Sequence, residues 1–502
     1  MKLLNIKWTE EDMELFSKAS NDCSPLHMNE EYARRTAFGR RIVFGGLGVL
    51  ACLSAADRGG GLKIRKIEAE YLKPMFIGFE YALKKSEVTL ETVIELLQGN
   101  NQMVKVRISF EGREDSSNDL NEEAGEDFYI PENLEIITDS TDYREKEYEK
   151  GIRVSGCYKS NPHMEELVER FNVPDMIKPL HMKLIMLFSY ISGMVIPGKK
   201  GMSLGISLHF HNTQDNSHQV IKYEAVGRDY NKDYGLLNVE IKAFGGNGLI
   251  MNGLLKAMVR KEITHTDLSG IKPLLVDNRK FYRDKVALVI GGSRGLGAAI
   301  AQVLALQECR VIINYHKSHE IARLLQTQLE EASCSVSLMS GDASSKEWCR
   351  EAAKSILESY RKLDILICNA SNPIYSPEFV FCPAGDEESA VAKDLQLVSK
   401  PLQFFIDPLK DSEGIIIVVS SYITANHKDE SLLKKAKMQR EKFTEDFAAN
   451  IKGVKCFIVR PPRMITDMNN TPIGLIGAES PAMIAANIIN HLISQTSIIA
   501  LP

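Results

Sequence analysis

Two clusters of residues in this 502-residue chain have the types and spacing to do chemistry. The first lies within FSKASNDCSPLHMNEEYARRTAFGRRIVFGGLGVLACLSA (16–55), where Asp22 and His27 stand five residues apart across Cys23-Ser24-Pro25. Pro25 forbids a regular helix through this stretch, so the pair is expected on an irregular loop where both side chains converge. A carboxylate and an imidazole that hold one water between them can take its proton and return a proton to the neighbouring carbon, a contribution of about 10² to 10⁴ in rate. Adding water to a conjugated thioester needs this arrangement. The reaction also needs donors for the developing enolate oxygen. Gly45 and Gly46 open the apolar run 45–56, where a helix N-terminus offers backbone N–H groups with no Cβ in the way.

The second cluster is KVALVIGGSRGLGAAIAQVLA (285–305), with Gly291, Gly295 and Gly297 between an apolar strand and an alanine-rich helix. Glycines there let the backbone approach a pyrophosphate at the helix N-terminus. Ser293 and Arg294 lie in the same loop. Arg294, with His316 and Lys317 after the second strand, supplies cations for a 2′-phosphate, and no acidic residue ends that strand to hold a ribose hydroxyl. A nucleotide bound here is expected to be NADP(H) rather than NAD.

These clusters need scaffolds of different kinds. The segment 111–127 carries eight acidic residues against one arginine and no apolar period, and reads as a linker. A second boundary falls near 268–283. The expected domains are therefore 1–115, 128–267 and 284–502. The run 47–88 has a weaker partner in 186–226: in both, an apolar helical stretch passes through a glycine-rich turn into alternating strands. Two related α+β domains are expected side by side. From Lys285 the texture changes to short apolar strands at 285–290, 310–315, 336–340, 363–368, 414–419 and 454–459, separated by helical segments, which reads as a parallel α/β sheet.

Composition narrows the partners. A formal net charge of -5 gives no electrostatic reason to expect nucleic acid. Nine scattered cysteines without a C-x-x-C pair argue against zinc, so no metal is expected, and fit a reducing compartment. No stretch of eighteen apolar residues free of charge occurs and the N-terminus lacks a signal-peptide pattern, so a cytoplasmic location without a membrane span is expected.

The first cluster resembles the MaoC-like, R-specific enoyl-thioester hydratases of the hot-dog fold, whose motif runs A-S-x-D-x-N-P-x-H, then Y-A, then F-x-x-x-I-V-H-G. LKIRKIEAEYLKPMFIGF (62–79) resembles the strand pair of that family. The resemblance implies that Asp22 and His27 are catalytic and that the Gly45 N–H is the oxyanion donor. It also implies a substrate carried as a thioester on coenzyme A or an acyl carrier protein, and no cofactor for hydration. Ser24 stands for the motif asparagine and Phe44 for the histidine before the glycine. The middle domain has no D-x-x-x-x-H element, and His163 and His181 read as structural. It resembles a second, degenerate hot dog that completes a double hot-dog unit and widens the acyl tunnel. The two domains then satisfy each other within one chain, and a homodimer is an open possibility.

The C-terminal third resembles the short-chain dehydrogenase/reductase family, with a Rossmann doubly wound parallel sheet. The resemblance runs from the glycine loop through Asp342 in SGDAS, Asn369 in LICNAS, Ser420 and VRPPRMITDM (459–468). It implies cofactor contacts at Gly291, Ser293, Arg294, Gly295, Gly297, Lys317, Asp342, Asn369 and Lys437. The catalytic set breaks the pattern: counting thirteen residues from Ser420 reaches Leu433, where the family has tyrosine, and four more reach Lys437. Tyr422 is too close to Ser420, and no helical asparagine stands between 386 and 400. Ser420 and Lys437 are thus expected as remnants of an impaired reductase. The whole reads as a hydratase/dehydratase of 3-hydroxyacyl and trans-2-enoyl thioesters in a fatty-acid-like or polyketide-like pathway. Its rivals are an NADPH-dependent thioester reductase and a scaffold that docks carrier proteins.

Overall fold

The computed structural model describes residues 5–58, 62–111, 137–211, 220–246, 248–263, 267–277, 279–373, 387–426, 428–429, 431–471 and 473–492. The acidic stretch expected as a linker lies outside them from residue 112 onward. The chain forms two compact units, one of residues 1–34 with 40–261 and one of residues 35–39 with 262–502.

The first unit is built on ten antiparallel strands: β1 (Asn5–Lys7), β2 (Ile64–Tyr71), β3 (Glu80–Val88), β4 (Glu91–Gln98), β5 (Asn101–Phe110), β6 (Arg153–Lys159), β7 (Gly201–Phe210), β8 (Val220–Asn231), β9 (Leu236–Gly245) and β10 (Gly248–Val259). Their order is β1-β3-β4-β5-β2-β7-β10-β9-β8-β6. Counted inward from either edge, the two halves repeat one order: first, third, fourth, fifth, second. The weak internal repeat of the sequence is therefore a repeat of topology. The halves meet where β2 pairs β7, from Lys66 opposite His209 to Glu70 opposite Gly205.

Each half carries one apolar helix, Gly45–Ser54 and Pro179–Tyr190. Along β4 the buried positions alternate, Thr92, Ile94 and Leu96, as a strand covered on one face requires. Gly48 lets its helix come close to the sheet, because a Cβ there would lie 2.8 Å from Met75 and 2.9 Å from Val104. Leu47, Val49, Leu50 and Leu53 of that helix are sealed from water, each contributing about 1.5–3 kcal/mol of burial.

The second unit has six parallel strands: β11 (Val286–Ile290), β12 (Arg310–Tyr315), β13 (Val336–Ser340), β14 (Ile365–Cys368), β15 (Ile415–Val419) and β16 (Lys455–Val459). The order β13-β12-β11-β14-β15-β16 reverses direction between β11 and β14, the switch point where open α/β sheets bind ligands. Both faces are covered. Ala287 and Val289 of β11 join one apolar cluster, while Val286, Leu288 and Ile290 join the other, which is why these strands read as unbroken apolar runs. The stretch 268–283, which reads in sequence as a boundary, supplies Leu268, Ile271 and Tyr282 to the first of those clusters, and the Tyr282 hydroxyl donates to the Ile489 carbonyl at 2.8 Å.

Candidate active sites

The loop of the first cluster is shaped by local signals. Thr9 and Asp12 form a capping box that starts the helix Glu10–Ser20, and Asn21 ends it at φ 56. Asn tolerates this left-handed conformation. The Ser20 hydroxyl donates to Phe16 O at 2.7 Å and accepts the Asp22 N–H at 3.2 Å. The Ser24 N–H donates to Asp22 Oδ1 at 3.0 Å, so the residue in the motif asparagine position braces the carboxylate through its backbone. One expectation is corrected here. His27 sits not on an irregular loop but in a one-turn helix, Pro25–Met28, because proline is tolerated at the first helical position.

Asp22 is buried and interacts electrostatically with His27. Burial pushes its carboxyl above the ordinary carboxylate range, against the opposing pull of His27 and of hydrogen bonds from Ser189 and Ser24. His27 moves the other way: burial lowers it, Asp22 and the Ile42 carbonyl oppose that, and Arg260 adds to it. The His27 Nδ1 lies 2.9 Å from Ile42 O. A carbonyl only accepts, so Nδ1 carries the proton and Nε2 keeps its lone pair. Phe44 lies against the imidazole at 4.2 Å between ring centroids and packs on Phe16 at 4.8 Å. The residue that departs from the motif therefore supports the face of the His27 ring. Gly45 follows directly as the first residue of its helix. A Cβ on Gly45 would lie 2.8 Å from the Tyr71 ring, and one on Gly46 would lie 2.3 Å from Phe16.

Sequence reasoning missed the contribution of the second half. The Ser189 hydroxyl donates to Asp22 Oδ2 at 2.7 Å. A Cβ on Gly193 would lie 2.2 Å from Asp22 Oδ1, and the Cys23 N–H meets Met194 Sδ at 3.3 Å. Ser189 lies in the last turn of the helix Pro179–Tyr190, which passes into one π-turn, Ile191–Val195, a rare distortion often found at functional sites. His163 is exposed beside Glu166. His181 is buried, accepts the Lys178 N–H at 3.1 Å and is pushed down to about 4 by burial and by Lys178.

In the second unit the glycine loop follows β11. Gly291 (φ 71) and Gly295 (φ 55) are left-handed. A Cβ on Gly297 would lie 2.2 Å from Gly291 O and 2.6 Å from Asn369 Nδ2, and that amide donates to Gly291 O at 2.9 Å. The cradle fits a pyrophosphate at the N-terminus of the helix Gly295–Leu306. Ser293 is buried in the loop, and Arg294 stands 3.7 Å from Asp467. Lys317 follows the end of β12, while Asp342 accepts the Ser344 N–H and hydroxyl at 2.9 and 2.7 Å.

Beyond the cradle the network is unlike a Ser-Tyr-Lys set. Ser420 donates its hydroxyl to Glu441, which also receives Thr424 at 3.0 Å and Arg460 at 2.9 and 2.7 Å. Burial alone would raise Glu441, but these donors hold it below its ordinary value. Lys437 donates to Ser371 at 3.0 Å and is pushed down to about 7 by burial and by Arg440, against Asp394 and Glu441. Ser371 donates to Asp394 at 3.2 Å. Asp394 and Arg440 form an ion pair with no exposed surface. Leu433 stands in the first turn of the helix Leu432–Ala449, and the exposed Tyr422 accepts from Arg463 at 3.2 Å. Among the described residues no cluster of His, Cys, Asp and Glu is placed to hold a metal ion, and no helix is long and apolar enough to cross a membrane.

Comparison with known proteins matches one stretch in each of the two units. Residues 2–97 match the family model for the MaoC like domain and residues 285–472 that for short chain dehydrogenase. General stress protein 39 of Bacillus subtilis (strain 168) is 33% identical over 88 residues, 18% of this chain and 31% of that protein. Short-chain dehydrogenase/reductase FrzI of Cladobotryum sp is 31% identical over 87 residues, 17% of this chain and 34% of that protein. The chain thus spans about a third of the length of these two relatives. Among solved structures, a short chain dehydrogenase from Burkholderia cenocepacia in complex with NADP is 24% identical, with a TM-score of 0.39 over 44% of this chain and 97% of that one. The two family matches carry with them a hot-dog fold and a Rossmann fold, respectively. The chain joins a MaoC-like domain at its N-terminus to a short-chain dehydrogenase domain at its C-terminus.

Proposed function

We propose that the first unit is a double hot dog that interconverts trans-2-enoyl and 3-hydroxyacyl thioesters. The observation that supports this reading is the pairing of buried Asp22 with half-buried His27, whose tautomer is set by Ile42 O. Burial favours the uncharged pair, a protonated Asp22 beside a neutral His27. In the hydration direction, His27 Nε2 takes a proton from water, the water oxygen bonds C3, and Asp22 gives its proton to C2. A proton passing from His27 to Asp22 restores the pair. The Gly45 N–H holds the thioester oxygen as charge builds on it, a donor worth about 10² to 10³ in rate. The acyl group is carried on coenzyme A or an acyl carrier protein, in a pathway of the fatty-acid or polyketide kind.

The test is loss of enoyl-thioester absorbance on adding enzyme. Asp22→Asn is expected to reduce turnover by about 10² to 10⁴ while the circular dichroism spectrum is unchanged. Full activity in that variant would end this reading.

The second unit is proposed as an NADP(H)-binding domain impaired as a reductase. Gly291, Gly295 and Gly297 would hold the pyrophosphate, with Arg294 and Lys317 near the 2′-phosphate and Asp342 and Asn369 along the cradle. The nucleotide supplies or accepts a hydride when bound. Leu433 offers no hydroxyl to supply the matching proton, and Ser420 already donates to Glu441. Nucleotide binding without NADPH oxidation by 3-ketoacyl thioesters is expected. Steady oxidation would favour the rival reading as a reductase.

A further inference from the structure

Arg260 follows β10 directly and is only 6% exposed. Its Nε donates to Lys200 O at 3.3 Å, and its Nη2 to Lys199 O at 3.1 Å and to the Tyr32 hydroxyl at 2.9 Å. The guanidinium carbon sits 5.2 Å from the Tyr32 ring centroid. Among the described residues Nη1 donates to nothing and no carboxylate pairs with this guanidinium. The Asp142 carboxylate answers the ammonium groups of Lys199 and Lys200 at 3.5 and 2.8 Å. Carbonyls and a ring face offset only part of the cost of burying a full charge, which is several kcal/mol when no counter-charge is present.

The group is also tied to the segment that carries His27. Tyr32 lies five residues beyond His27 in sequence and ties the Lys199 carbonyl, to which it donates at 2.7 Å, to the guanidinium. The charge of Arg260 is felt at His27. A planar fork with idle N–H donors is the group that recognises carboxylate and phosphate oxygens.

Resting on the thioester reading above, we infer that Arg260 binds an oxyanion of the substrate. That oxyanion is either a carboxylate on the acyl group or the phosphate of a phosphopantetheine arm. The enzyme then selects substrates by charge, with a residue of the half that lacks the catalytic loop.

The experiment is calorimetric binding of saturated, unreactive thioesters to the full-length protein. Acyl groups of one length, ending in carboxylate or methyl, are presented on pantetheine and on 4′-phosphopantetheine. Wild type is expected to prefer an anion-bearing ligand over the neutral one by about tenfold or more, Arg260→Gln to lose the preference, and Arg260→Lys to keep part of it. A preference that follows the acyl carboxylate on pantetheine assigns the anion to the acyl group, and one that follows the phosphate whatever the acyl end assigns it to the carrier. Indifference of wild type to charge overturns the inference. So does an Arg260→Gln protein that binds all four ligands more weakly by one common factor. If Arg260→Gln does not fold, the Arg260→Lys ratio decides, and a ratio equal to that of wild type overturns it. Hydration of the neutral enoyl thioester, measured separately, judges Asp22 and His27, so failure of one reading is distinct from failure of the other.

Discussion

Ser189 shows how much of a site can sit far from its motif. Its hydroxyl stabilises the charged form of Asp22, and a hydrogen bond to a charged group is worth about 1.5–3 kcal/mol. Ser189→Ala is expected to raise the Asp22 pKa and move the pH limb that reports it upward. Because the proposed step uses Asp22 in its protonated form, kcat below that limb should be little changed, and Ser189→Thr should restore the profile. A pH–rate series on the three proteins checks this, and coincident limbs in all three would refute it. Asp22, His27 and Gly45 could be singled out from the sequence because they fall in one short segment marked by Pro25 and by a glycine-opened apolar run. Ser189 lies 167 positions from Asp22, and nothing in its own neighbourhood marks it. The same holds for Glu441, whose grip on Ser420 is a tertiary contact, and for Asp394, which no spacing rule places beside Ser371.

At the scale of elements, the π-turn Ile191–Val195 brings backbone against the carboxylate, where only a glycine fits. Gly193→Ala is expected to push Asp22 aside and cut turnover by about 10²-fold, with the thermal midpoint changing far less than activity; enoyl-thioester kinetics beside a melting curve measure both. In the second unit, Arg440 and Asp394 join the helix Leu432–Ala449 to Glu387–Asp411. Arg440→Met leaves a buried carboxylate unpaired and should cost about 3–5 kcal/mol in urea unfolding at pH 7. Burial alone would raise the Asp394 carboxyl, but Arg440 and Lys437 outweigh it, so it lies below its ordinary value. A depressed carboxylate stabilises the fold above the unfolded value of about 4 and loses that effect as pH falls through the folded value. The penalty of Arg440→Met should therefore shrink toward pH 3. The six parallel strands were legible because both faces are covered and each reads as a short apolar run. The pairing of the two helices by a buried ion pair was not, since charged residues on a helix usually read as a solvated face.

For the whole molecule, the ten-stranded sheet joins the two halves of the first unit into one folding unit. A fragment ending at residue 111 bares the β2 edge that β7 covers, and exposed edges invite pairing with other chains. Such a fragment is expected to aggregate or self-associate, whereas residues 1–261 should elute as a folded species; size-exclusion chromatography distinguishes the two outcomes. The twofold division of the sequence texture, alternating strands first and apolar runs after Lys285, foretold two architectures. The identity of strand order in the two halves was hidden, because register and pairing are set by contacts across the sheet rather than along the chain. The seam between β2 and β7 has a kinetic meaning as well. Asp22 belongs to the half that holds β2 and Ser189 to the half that holds β7, so unzipping this ribbon parts the carboxyl from its hydroxyl partner. Amide exchange along β2 and β7 is then expected to proceed at the rate at which the proposed enoyl-thioester activity decays on heating.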